Sequence, residues 1–177
     1  MANLNAPFGL NPVGKIGSGP SQKMSEYKVT NDAIFQGDPV ALGSGVITQC
    51  GAGAAACGVF WGANYNNSDG KPQFRNNVPA SQAATAFVYD DPYQVFEIQG
   101  DNAGSDVSDQ TDVGQKANYT VDPNGVNNGV SGYQLDVSNI GSGADMMITG
   151  FSTKEGRNEL TAANIVYTVL IDNHLYA

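Results

Sequence analysis

From Ser25 onward the chain breaks into apolar runs of about 5–9 residues, each stopped by Gly, Asn, Asp or Pro before a helix could develop. "SEYKVT" alternates, with Tyr27 and Val29 on one face. "AIFQGDPVAL" holds two pieces split by Gly37-Asp38-Pro39, and "FVYDDPYQVFEIQ" holds two more around Asp90-Asp91-Pro92. "SGVITQC", "CGVFWGANY", "GYQLDVSNI", "DMMITGFST" and "NIVYTVLIDNH" complete the series. These runs are rich in Val, Ile, Tyr, Phe and Thr, which pack well on a pleated surface. Charged residues make up only 14% of the chain, so the Glu, Lys and Arg that long helices favour are scarce. The pattern predicts a mainly β protein, an antiparallel β-sandwich or barrel with at most one or two short helices.

Helix has two candidate places. Ser108, Thr111 or Asp112 could cap a short turn in "SDQTDVGQKANYTV" before Gly114 weakens it, and "NELTAAN" could hold one turn. The rest of 101–130 reads as loops projecting from the sheet, with Asn124-Gly125 and Asn128-Gly129 suited to tight turns.

The first 24 residues follow a different rule. "MANLNAPFGLNPVGKIGSGP" is apolar at Leu4, Phe8, Leu10, Val13 and Ile16, yet Pro7, Pro12 and Pro20 remove backbone donors, and four glycines loosen the remainder. The reading is an extended N-terminal arm, residues 1–24, ahead of a single β-rich domain, 25–177. At 177 residues the chain is long enough to bury a core without metal or disulfides.

Charge narrows the partners. Eight basic residues against 17 acidic ones leave a net charge of −9, with no Lys/Arg cluster. Phosphate backbones and anionic membrane surfaces are repelled by such a chain. No basic segment precedes an unbroken apolar core, and no run reaches the length of a membrane span, so the expectation is a cytoplasmic product with Cys50 and Cys57 reduced.

The candidates for chemistry are each incomplete. His174, the sole histidine, lies three residues from the C-terminus without a visible nucleophile or orienting group. No serine sits in a G-x-S-x-G elbow. Cys50 and Cys57 frame "CGAGAAAC", but no second ligand pair completes a zinc site. "GAGAAA" half resembles a dinucleotide loop, yet a strand-like run follows it where that motif requires a helix. Asp101, Asp106, Asp109 and Asp112 do not fall in the order of a calcium loop and read as a solvated acidic loop. No catalytic residue, cofactor or metal ligand is assigned.

The aromatic residues carry more. Phe60, Trp61 and Tyr65 lie close in sequence, with Phe74 nearby. Neighbours on a strand point to opposite faces, so Phe60 and Trp61 cannot share one core. Either two packed layers bury both, or Phe60, Trp61 and Tyr65 contribute to a subunit interface, where Trp and Tyr are favoured.

"MANLNAPFGLNPV", "GDPVAL", "GVFWGANYNNSDGKPQF", "VYDDPYQVFEIQGD" and "TDVGQKANY" together resemble small head decoration (cement) proteins of tailed double-stranded-DNA bacteriophages. The likeness runs along most of the chain and includes no catalytic fingerprint. It implies a structural virion protein, made in the host cytoplasm and bound to the outer surface of the capsid. Its partners would be the major capsid protein and other copies of itself, a homotrimer being favoured. It also implies a β-rich barrel or sandwich with extended termini that reach other subunits.

On that reading the arm is a contact element presenting Leu4, Phe8, Leu10, Val13 and Ile16. Burying these side chains does not by itself offset the entropy of ordering so flexible a segment, so backbone hydrogen bonds are needed too, as in addition to a sheet edge. The arm could instead fold back on its own barrel. The alternative function is a tail, fibre or glycan-binding surface module, with Trp61, Tyr65 and the Asn/Asp loops as its ligand face.

Overall fold

The computed structural model describes residues 3–17, 22–101, 110–120, 128–153 and 163–177. The described strands are β1 (Asn11–Lys15), β2 (Met24–Val29), β3 (Ile34–Phe35), β4 (Pro39–Gly43) and β5 (Val46–Gln49). Next come β6 (Gly58–Asn66), β7 (Pro72–Arg75), β8 (Asn77–Val78), β9 (Ala84–Tyr89) and β10 (Gln94–Gln99). The last five are β11 (Lys116–Ala117), β12 (Tyr119–Thr120), β13 (Gln134–Leu135), β14 (Met146–Phe151) and β15 (Val166–Ile171). The protein is mainly β, as its segmentation predicts. Helix among the described residues is confined to two three-residue 3-10 turns, Gln110–Asp112 and Val137–Asn139.

Five strands close a barrel in the order β4-β5-β2-β9-β6, with β4 returning to β6 through Pro39–Val59 and Val40–Gly58. All these pairings are antiparallel except the short β2–β5 contact. The inside is filled by Val29, Val40, Ile47, Phe60, Ala86 and Val88. Beyond the point where β4 leaves, the same edge of β6 pairs with β7. The second layer is a five-stranded sheet, β1-β10-β15-β14-β11. Its inner residues, including Phe96, Ile98, Ile148, Tyr167 and Val169, form one core with Val59 and Tyr89 from the barrel wall. The chain changes layer at Asp90-Asp91-Pro92, where the Asp91 carboxylate accepts the Tyr93 N–H and its carbonyl accepts the Gln94 N–H.

Two expectations need correction. Residues 1–24 are not simply an extended arm, because Asn11–Lys15 is an edge strand paired antiparallel with β10 of the same chain. Pro12 is tolerated because an edge strand leaves one side unpaired. Residues 101–130 are not loops throughout. Lys116–Ala117 pairs with β14, Tyr119–Thr120 pairs with β13, and Ala117 and Tyr119 are buried. Two-residue strands leave no periodicity to detect, and the pairing is decided by tertiary contacts. Thr111 and Asp112 do lie in a 3-10 turn, whereas Ser108, Asn124-Gly125 and most of "NELTAAN" lie outside the described residues.

The arm is held by a close backbone crossing. The Leu10 N–H donates to the Gly37 carbonyl at 2.9 Å, and the Gly37 N–H donates to the Phe60 carbonyl at 2.9 Å. Gly9 and Gly37 both have positive φ, +67° and +94°. A Cβ on Gly9 would meet Ser131 Cβ at 2.4 Å, and one on Gly37 would meet the Phe8 carbonyl at 2.7 Å. Leu10 thereby enters the core at 2% exposure.

The anchoring predicts that Leu10→Ala costs about 2–5 kcal/mol, through lost burial and a cavity. Gly37→Ala is expected to cost about 1–3 kcal/mol, from the positive φ and the collision with the arm. Urea denaturation checks both, and stability equal to the parent chain would mean the arm is not integral to the domain.

Candidate interaction surface

The structure splits the five arm residues by environment. Leu10 is core and Phe8 is half-buried, while Leu4, Val13 and Ile16 remain exposed, Leu4 at 79% and Ile16 at 51%. Leu10 is therefore unavailable as a contact for a second chain. Val13 lies at an irregularity in the β1–β10 register, between Pro12 and Gly14. Such a bulge changes the direction in which a strand's side chains point.

The three aromatic candidates also separate. Phe60 is fully buried inside the barrel of its own chain and offers no surface to another subunit. Trp61 is the extra residue where the β6–β9 register shifts between Phe60 and Gly62. It packs on the inter-layer core, edge-on to Tyr89 with ring centroids 5.6 Å apart. Two packed layers thus account for both neighbours. Tyr65 is half-buried against the barrel core.

Near the β9–β10 turn, exposed apolar residues meet a polar network. The Ile16 N–H donates to the Tyr93 carbonyl at 2.9 Å, and Tyr93 is 60% exposed. Lys15 pairs with Asp91, and Lys23 lies 3.8 Å from the Asp90 carboxylate. The Tyr27 hydroxyl donates to Asp90 at 2.9 Å and lies 3.3 Å from the Tyr176 hydroxyl. Burial pushes the Tyr27 phenol well above its ordinary range, and the bonds to Tyr176 and Asp90 add to this. The Lys15 ammonium holds the Asp91 carboxyl below its ordinary value. Ile16, Met24, Tyr93, Leu175 and Tyr176, all exposed, flank this network in sequence. Tyr93, in "VYDDPYQVF", is legible from the sequence as an aromatic just after the Asp-Pro turn, whereas no pattern marks Tyr176.

His174 is buried beside the same network. Its Nδ1 accepts the Tyr176 N–H at 3.1 Å, so the neutral ring carries its proton on Nε2. Nε2 is buried and has no hydrogen-bond partner among the described residues. Burial lowers the His174 pKa, against the opposing pull of Asp90 and Asp91.

The "GAGAAA" loop is a structural turn. The Gly53 N–H donates to the Asp145 carboxylate at 2.8 Å. The Tyr133 and Tyr119 hydroxyls hold the Cys50 and Gly51 carbonyls at 2.9 Å and 3.1 Å. A carboxylate thus takes the loop N–H that a phosphate-binding reading needs. Cys50 and Cys57 are free and buried, and burial pushes the Cys57 thiol up to about 12. Asp101 accepts the Val137 N–H, while Asp106 and Asp109 lie outside the described residues. Among the described residues no group of three or more His, Cys, Asp or Glu side chains could hold a metal ion, and no helix is long and apolar enough to cross a membrane.

Comparison with protein-family models, curated proteins and solved structures finds no match for this chain.

His174 generates a pH prediction. Its folded pKa lies below its unfolded value, so the unfolded chain binds more protons as pH falls through the ordinary histidine range. Stability should therefore decline as pH falls through about 6.5, the ordinary histidine value. The lowered Asp91 and Asp136 carboxyls lose their contribution only as pH falls below their ordinary value of 3.8, well under this window. The raised Asp145 acts with the opposite sign just above 3.8. Urea midpoints measured across about pH 5.5–7.5 should slope for the parent chain and flatten for His174→Gln. Equal slopes would contradict this assignment.

Proposed function

We propose that this chain is a structural virion protein, a head decoration protein that binds the outside of the capsid lattice and stabilises the shell. It acts by binding rather than turnover. Its partners on this reading are the major capsid protein and further copies of itself, with a trimer favoured.

The observation that carries the reading is the two-sided character of the arm. One side is locked into its own domain through Gly9 and Leu10. The other leaves Leu4, Val13 and Ile16 in solvent on and around an edge strand. An isolated exposed apolar residue needs no explanation, but Val13 on an edge strand with one side unpaired, with Ile16 just past its end and Leu4 on the segment leading into it, makes a liability unless a partner covers it. An edge strand can also extend a neighbouring sheet through its unpaired backbone groups, which supplies the hydrogen bonds that apolar burial alone lacks. Many copies on a lattice would then convert modest individual contacts into firm attachment.

Deletion of the first 17 residues is a poor test, because it would remove Leu10 from the core. The better variant is Val13→Ser with Ile16→Ser, which leaves the anchor intact. It should unfold within about 0.5 kcal/mol of the parent, as surface substitutions usually do. In co-sedimentation with purified undecorated shells it should bind at least several-fold more weakly. Undiminished sedimentation of a folded double variant would contradict the role given to the arm.

A further inference from the structure

At the end of the barrel wall, two open grooves adjoin at the C-terminal part of β6, sharing Asn64, Tyr65 and Asn66. One, of about 430 Å³, continues along Pro72, Gln73 and Phe74 of β7. The other, of about 340 Å³, continues past Lys28 and Thr30 to Thr85.

The aromatic floor is rigid. Phe74 is 56% exposed, yet a Cβ on Gly62 would stand 2.5 Å from its Cζ, so the ring lies against bare β6 backbone. The Phe87 ring flanks it, with centroids 6.1 Å apart. Tyr65 is braced by packing on the barrel core. Around these rings the polar groups are uncommitted. The Asn64 and Asn66 side chains are exposed, and neither amide is hydrogen-bonded among the described residues. Each amide offers both donors and an acceptor. A fixed aromatic surface costs little entropy to use, and free amides beside it can pair with a ligand's hydroxyls.

We propose that this double groove binds a neutral glycan chain. Ring faces of Phe74 and Tyr65 receive the apolar C–H faces of sugar residues, and Asn64 and Asn66 bond their hydroxyls. Charge is sparse at the site: among the described lining residues Lys28 is the cation and no carboxylate is present, so hydrogen bonding rather than ion pairing sets the ligand class. With a net charge of −9, the chain repels polyanions. Rings and free amides side by side suit a ligand that carries apolar C–H faces and hydroxyls on one unit. Trp61, packed between the two layers, takes no part.

The test is an array of neutral and anionic glycans probed with the full chain, followed by calorimetry on any neutral binder. Binding to neutral glycans is expected, with Phe74→Ala weakening it about tenfold or more. The double variant Asn64→Ala, Asn66→Ala should weaken it as well and keep the parent unfolding midpoint, because these side chains are exposed, whereas Phe74→Ala should lower the midpoint modestly and stay folded. The Val13→Ser, Ile16→Ser variant should bind glycan unchanged, which separates this site from the arm. No neutral binder, anionic binders alone, or neutral binding unaffected by both groove variants would each overturn the proposal. Loss of shell binding in Phe74→Ala without any glycan binding would overturn it too, and would assign the face to a protein contact.

Discussion

The architecture depends on one backbone crossing, where Gly9 and Leu10 of the arm meet Gly37 at the approach to β4 and Ser131 ahead of β13. No side chain fits between these segments: the space a Cβ would need at Gly9 is already held by Ser131 and the Gly37 carbonyl. Three stretches far apart in sequence are thereby tied together, since Gly37 also donates to Phe60 on β6 and the Ser131 N–H donates to the Gln36 carbonyl. The crossing fixes where β1 can lie, and so completes the edge of the sheet beside β10. It also sets which arm residues are core and which face solvent. Contacts of such long sequence separation carry a loop-closure cost, which places this fold among the slower-forming β topologies.

Much of the strand content was legible from local chemistry. The runs "CGVFWGANY", "DMMITGFST" and "NIVYTVLIDNH" contain β6, β14 and β15, and Asp90-Asp91-Pro92 marks the change of layer. Alternation along β6 was enough to require separate environments for Phe60 and Trp61, and the bulge at Trp61 delivers them. What was not legible is pairing between distant segments. Closure of β4 on β6 rests on two residue pairs, and the β2–β5 contact on one, with no motif to announce either. The arm shows the same limit. Its prolines and glycines describe a segment unable to fold alone, but its partner strand lies some eighty positions away at Gln94–Val95. The apolar pattern could not say that Leu10 would be buried while Val13 and Ile16 stayed outside.

The buried polar groups fit a scaffold whose turns are fixed by side chains. Asp38 accepts the Phe35 N–H and the Gln49 amide, Asp145 holds the Gly53 N–H, and Tyr133 holds the Cys50 carbonyl. Each satisfies backbone that short strands and loops leave unpaired. The surface is divided between distinct jobs on the reading proposed above. The arm and the β9–β10 turn present aliphatic and aromatic side chains suited to protein contact. The β6–β7 end presents aromatic rings among free amides, a chemistry suited to hydroxyl-rich ligands. Anchoring one in the sheet layer and the other on the barrel lets both be occupied together.

The most direct measurement of the central claim is quantitative mass spectrometry of purified virions, comparing copies of this chain with copies of the major shell protein. A lattice-bound decoration protein predicts a simple fixed proportion to the shell protein, with copies on the order of hundreds per particle, as repeated symmetric sites require. A handful of copies, or none, would contradict it.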